Sequence, residues 1–207
     1  MSRSIIQALA AWLAAGENRI GEIAILGRYE LRHYMDIEVE GLATYTAPDD
    51  AREIAVYDAA GEYRPLKTAP SLRRGWRLVL GTIEELHDAL DFFYPAMLAA
   101  RLALQQGRLA VTPLRATLGR QSGMYAITRK VSDSRADAMI GSFCRTDGGC
   151  LKTILWPIAP GVPITSLPPE KFDPAPKCAA MPLLCAEACN LLVAKAREIV
   201  KVEGSAP

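Results

Sequence analysis

The sequence predicts an α+β fold of mixed helices and short strands, with a C-terminal half closed by a long C-terminal helix. Three stretches carry that expectation. IIQALAAWLAAG sets Ile5, Ile6, Leu9, Trp12 and Leu13 at the spacing of an amphipathic helix. GEIAILGRYELRHYMDIE has the alternation and β-branched content of one or two strands, with Gly27 at a bend. Met181 to Val202 reads as the clearest helix of the C-terminal half, with Leu183, Leu184, Leu191, Leu192 and Val193 on its apolar side.

The remaining elements follow in order. Pro48 and Asp49 precede Ala51 to Ala60, a start signal for a short helix that ends at Gly61. Residues 62 to 75 form a connector punctuated by Pro65, Pro70 and Gly75, and Trp76 to Leu80 reads as a short strand. Thr82 followed by Glu85 has capping-box spacing, and Leu86, Leu90 and Phe93 continue an apolar face until Pro95 breaks it. A helix from Ala96 to Gln106 then closes at Gly107. Ser132 to Ile140 reads as a short helix and Leu151 to Trp156 as a strand. Seven prolines between 157 and 177 exclude regular structure there. These elements divide the chain into an N-terminal α/β supporting region, residues 1–110, and a second region, residues 111–207.

Composition narrows the class. With half of its 207 residues apolar, the chain can bury a substantial core without staples. No apolar run approaches the ~20 residues of a membrane span, and Gln7 interrupts the N-terminal stretch that resembles a secretory signal. Five cysteines are too few for a disulfide scaffold and odd in number, which points to a cytoplasmic protein whose clustered thiols bind metal or do redox chemistry. The net charge of +1 conceals an imbalance. Residues 1–60 hold five arginines against ten acids, whereas residues 61–130 hold eleven basic residues against five acids. Such a basic segment suits an anionic partner or an internal match to the acidic N-terminal part.

The chemistry concentrates in the thiols. FCRTDGGC offers Cys144 and Cys150 from a loop in which Gly148 and Gly149 permit close backbone approach. LLCAEACNLL offers Cys185 and Cys189, four apart, whose Cβ atoms would stand ~5–6 Å from each other on one helix face. The pattern is C-x5-C, thirty-four intervening residues, then C-x3-C. Four thiolates suit a [4Fe–4S] cluster or a closed zinc site. Zinc knuckles favour C-x2–4-C on both sides, which the five-residue spacer does not match. The favoured reading is therefore a [4Fe–4S] cluster held by Cys144, Cys150, Cys185 and Cys189, with zinc and buried structural thiols as the alternatives. Cys178 is the spare cysteine.

This spacing resembles the cluster-binding pattern of sirohaem-dependent nitrite and sulfite reductases, in which the last cysteine bridges to the sirohaem iron. RATLGRQSGMYAIT, FCRTDGGCLKTILW and CAEACNLLVAKAR together look more like the iron–sulfur domain attached to some sirohydrochlorin chelatases. With YRPLKTAPSLRRGWRL upstream, the similarity spans residues 45 to 205. The resemblance implies an electron-transfer or redox-linked accessory role in cobalamin or sirohaem metabolism, with a chelatase or reductase as partner and a tetrapyrrole as ligand. Such chelatases insert metal with paired histidines of a separate α/β domain. Here the histidines are His33 and His87 alone, so metal insertion is not carried over.

Arginines supply the other candidate site. Arg115, Arg120, Arg145 and Lys152 adjoin the glycine turn or the cysteine loop, and guanidinium forks match the carboxylates a tetrapyrrole carries. Pairing with acidic residues of the same chain is the competing reading. Arg73, Arg74 and Arg77 around Trp76 invite the same two readings. His33 and His87 lack ligand-spaced partners and read as core or surface histidines. GRQSG is out of register for a nucleophile elbow, and the chain has no P-loop or dinucleotide fingerprint. A non-catalytic cluster- or zinc-binding scaffold is the second functional reading. A redox-sensing nucleic-acid binder is the third, because no helix-turn-helix concentrates the basic residues.

Overall fold

The computed structural model describes residues 2–56, 72–144, 152–155 and 179–204. The chain forms two compact units, Met1–Arg108 with Phe172–Leu183, and Leu109–Lys171 with Leu184–Pro207. It is an α+β fold of mixed helices and short strands, and no helix among the described residues is long and apolar enough to cross a membrane.

The first unit is a mixed sheet covered by helices. Helix α1 (Ser2–Ala14) buries Ile5, Leu9 and Trp12, the residues its sequence aligned on one face. Strands β1 (Glu17–Ile20), β2 (Ile23–Leu26) and β3 (Glu30–His33) form an antiparallel meander. A 3-10 turn at Tyr34–Asp36, β4 (Ala43–Tyr45), α2 (Asp50–Val56) and β5 (Trp76–Val79) follow. The strand order is β4-β5-β3-β2-β1-β7. Its outer partner β7 (Ala179–Met181) returns from the far end of the sequence to pair parallel with β1.

Helix α3 (Ile83–Phe93) begins where the sequence placed it. Thr82 accepts the Glu85 N–H at 3.2 Å, and the Glu85 carboxylate accepts the N–H groups of Gly81 and Thr82. Pro95 separates it from α4 (Met97–Gln105), as the sequence required. Phe93 stacks on Trp76 with ring centroids 5.3 Å apart, and both are fully buried among Leu31, Leu78 and Leu86. Each such side chain contributes roughly 1.5–3 kcal/mol through burial. At the β1–β2 turn Gly21 has φ +54°, and a Cβ there would stand 2.4 Å from the Tyr94 hydroxyl oxygen. That hydroxyl accepts the Glu22 N–H at 2.8 Å, which makes the close approach a structural requirement.

The second unit is built of shorter pieces. Helix α5 (Leu114–Gly119) leads to a 3-10 stretch at Gly123–Lys130, then α6 (Asp133–Met139) and a π-turn at Ile140–Cys144. Strand β6 (Lys152–Ile154) pairs with β8 (Leu183–Cys185), and α7 (Asn190–Gly204) closes the C-terminal half. Its core joins Leu114, Leu118, Val131, Met139, Ile140, Ile154, Leu192, Val193, Ala196 and Val200. The fully buried Thr128 hydroxyl donates toward the carbonyls of Tyr125 at 2.8 Å and Leu118 at 3.3 Å, tying the 3-10 stretch to α5.

The C-terminal helix is shorter than its periodicity predicts. Met181 to Cys185 is extended and only Asn190 onward is helical. Pro182 cannot sit in a helix interior, and pairing of β7 with β1 and β8 with β6 overrides the local propensity of the leucines. Leu191, assigned from sequence to the apolar side, is half exposed. The proline-rich stretch 157–177 and the second half of the helix expected at Ala51–Ala60 lie outside the described residues.

Candidate metal centre

Three cysteines meet one core. Cys144 ends the π-turn after α6 and is buried, Cys185 ends β8, and Cys189 immediately precedes α7. Cys144 belongs to the apolar cluster of the second unit, and Cys185, Ala188 and Cys189 pack against it from the other side of the sequence. The two C-terminal thiols therefore do not share a helix face, in contrast to the sequence expectation. They bracket a turn between a strand and a helix. The physical reason is Pro182 together with the β6–β8 pairing, which holds Cys185 extended.

That turn is fastened by its backbone. The Cys185 carbonyl accepts the Leu155 N–H at 3.2 Å, the Ala186 carbonyl accepts the Thr112 N–H at 2.8 Å, and the Cys189 carbonyl accepts the Val193 N–H at 3.1 Å. The Cys185 thiol donates to the Glu187 carbonyl at 3.1 Å. Cys189 sits at the positive end of a helix dipole, a favourable place for an anionic group.

Cys150 and Arg145 lie outside the described residues, as does Cys178. Among the described residues no three His, Cys, Asp or Glu side chains stand together as a set that could hold a metal ion. The donor chemistry nevertheless fits an iron–sulfur cluster. Cys144 belongs to the core that includes Ile154, Leu192 and Val193, Cys185 and Cys189 pack against it, and thiolates are the soft ligands that such a cluster takes.

Two of the candidate anion-binding residues face acidic side chains. Arg115 Nε lies 3.4 Å from Asp133, and Arg120 Nη2 lies 3.9 Å from Glu187. Lys152 is half-buried on β6. Arg129 donates twice to the Gln121 carbonyl, closing the turn that precedes the 3-10 stretch. In the first unit Arg73 reaches Tyr45 and Glu53, Arg74 grips Asp36, and Arg77 donates to Thr44. Arg73 and Arg74 thus realise the pairing with the acidic N-terminal segment that the charge distribution allowed.

His33 is a core histidine. Its Nδ1 accepts the Met35 N–H at 3.2 Å and its Nε2 faces Glu22 at 3.6 Å. His87 lies beside Asp88 on the outer side of α3. Sequence reasoning missed two buried carboxylates. Glu22 accepts the Leu72 N–H at 2.7 Å, and Asp36 accepts Arg74 Nε at 2.8 Å and the Gly75 N–H at 2.9 Å. Burial alone would raise the Asp36 carboxyl, but the hydrogen bonds from Arg74 and Gly75 and the adjacent guanidinium charge outweigh it and hold it below its ordinary value. It also missed Glu187 and Thr112. Glu187 had a signal, as the single acid inside the C-x3-C spacer; Thr112 acts through its backbone and had none.

Comparison with known proteins finds a match for each half. Residues 106–198 match the family model of the 4Fe-4S iron-sulfur cluster binding domain, and residues 6–105 match that of the DR2241 stabilising domain. Among solved structures, DR2241 from Deinococcus radiodurans superimposes with a TM-score of 0.74 at 31% identity, over 96% of this chain and 41% of that one. DR2241 is a multi-domain protein with structural similarity to chelatases and two additional novel domains. The chain spans about two fifths of that protein's length. No curated protein matches.

Proposed function

We propose that this chain, a DR2241 stabilising domain followed by a 4Fe-4S iron–sulfur cluster binding domain, is the electron-carrying accessory of a chelatase-like partner. Its setting is modified-tetrapyrrole metabolism, cobalamin or sirohaem synthesis, in the cytoplasm. Cys144, Cys150, Cys185 and Cys189 are its cluster ligands. Bound there, the cluster supplies one-electron transfer. The chain's own residues supply the rest: the end of β8 and the residue before α7 present two thiols, the π-turn presents a third, and Leu192 and Val193 belong to the core against which they pack.

The observation that carries the reading is the meeting of Cys144, Cys185 and Cys189 on one core within a unit matched to a cluster-binding family. The similarity of DR2241 to chelatases supports the partner, because this chain spans only part of that protein. The engagement of Arg115 with Asp133 and of Arg120 with Glu187 favours an accessory over an enzyme that clamps a pigment itself. Sedimentation of the anaerobic protein with a sirohydrochlorin chelatase, with and without sirohydrochlorin, tests it. A pigment-independent complex of the cluster-loaded protein with the chelatase supports the accessory role. A change in the pigment's absorption with this chain alone, lost in Arg115→Gln, would instead make the chain an enzyme acting on the tetrapyrrole.

A further inference from the structure

We infer that Arg120 is a positioning residue of the Cys185–Cys189 turn, acting through Glu187, and not a clamp for an anionic ligand. The inference rests on the reading of this unit as the cluster-binding one. Three groups from outside hold the turn. Leu155 and Thr112 do so through backbone N–H groups on the carbonyls of Cys185 and Ala186, at 3.2 and 2.8 Å. The third is the Arg120 guanidinium, which meets the carboxylate of Glu187, the central residue of the C-x3-C spacer. Arg120 is well placed for this. It is the C-cap of α5, its backbone N–H is bound to carbonyls of that helix, and its side chain also reaches Thr117 Oγ1 at 3.5 Å. Helix α5 is itself anchored by the buried Leu114 and Leu118.

Electrostatics gives the pair its purpose. A cluster ligated by four thiolates is an anion, and a carboxylate between two of the ligands raises the energy of that anion unless a cation offsets it. Arg120 provides that cation, 3.9 Å from the carboxylate. Both side chains are about two-thirds exposed, so the pair is screened and its effect is modest.

Cluster retention and reduction potential read the pair. In the anaerobically purified full chain, Arg120→Gln is expected to speed iron loss to a chelator about two- to fivefold and to lower the reduction potential. Arg120→Lys keeps the charge and restores most of both. Glu187→Gln raises the potential, and the double variant loses iron more slowly than Arg120→Gln alone, because the unpaired carboxylate is gone. Iron loss and potential unchanged in Arg120→Gln, or strictly additive effects in the double variant, would overturn the inference while leaving the cluster intact. A wild-type chain without iron and sulfide would overturn the underlying reading itself.

Discussion

The two units bury different polar groups. In the first, buried charges meet opposite charges: Glu22 faces His33 and binds the Leu72 amide, Asp36 holds Arg74 and the Gly75 amide, and Arg101 pairs with Glu17 beneath the Trp12 ring, although Arg101 Nε and Nη1 make no hydrogen bond among the described residues. Burial lowers the Arg101 guanidinium against the pull of Glu17, yet the pair persists inside a sheet-and-helix core. In the second, the buried Thr117 and Thr128 are joined at the core by thiols, distributed over a π-turn, a strand end and the residue before a helix, and the elements carrying them are short. A core of that kind is completed by what binds to it, because metal binding free energy is folding free energy where the site forms only on folding. The first unit is held by its own ion pairs and hydrogen bonds, while metal bound at the thiols would add to the stability of the second.

The largest expected effect strikes the second unit. Cys185→Ala should abolish the brown chromophore and reduce amide-exchange protection across α5, α6 and α7, whereas Cys178→Ala should leave both nearly intact. The reverse pattern, read from absorption and exchange, would show that Cys178 is the fourth ligand. Next comes the turn on which the first unit's meander depends. Gly21→Ala forces a Cβ into the Tyr94 hydroxyl and the Leu183 side chain at a left-handed backbone position. A loss of roughly 2–3 kcal/mol is expected in urea unfolding; an unchanged midpoint would contradict the packing described.

A smaller effect separates the units by pH. Asp36→Asn should cost roughly 1–2 kcal/mol near neutrality, by weakening the hydrogen bonds to Arg74 and Gly75. The folded carboxyl lies below its ordinary value, so its contribution is fully present above about pH 4 and is lost as pH falls through the lower folded value. Urea midpoints of the two proteins should therefore converge in acid. A gap that persists or widens there would mean that the charge of Asp36 does not stabilise the fold.

Much of the first unit was legible because its signals are local. The α1 stripe, the Thr82–Glu85 capping box, the Pro95 break and the strand-like run around Gly27 each fix structure within a few residues. The return of β7 to β1 was not, since parallel pairing across most of the sequence leaves no periodic trace. The same non-local pairing explains the final helix. Leu183 and Leu184 suit either a helix or a strand, and Pro182 together with pairing to β6 decides between them. The cysteine spacing singled out Cys144, Cys185 and Cys189, which lie at one core, but not that Cys185 and Cys189 would bracket a turn. Arg120 drew notice for its charge, while its partner Glu187 passed unseen between the two cysteines.

Whether the thiols hold a four-iron cluster is decided by iron and acid-labile sulfide, quantified on the chain purified without oxygen. About four of each per chain are expected, with both lost when Cys144, Cys185 or Cys189 is replaced by alanine. A single zinc, or a chain that folds with neither iron nor sulfide, would rule the cluster out.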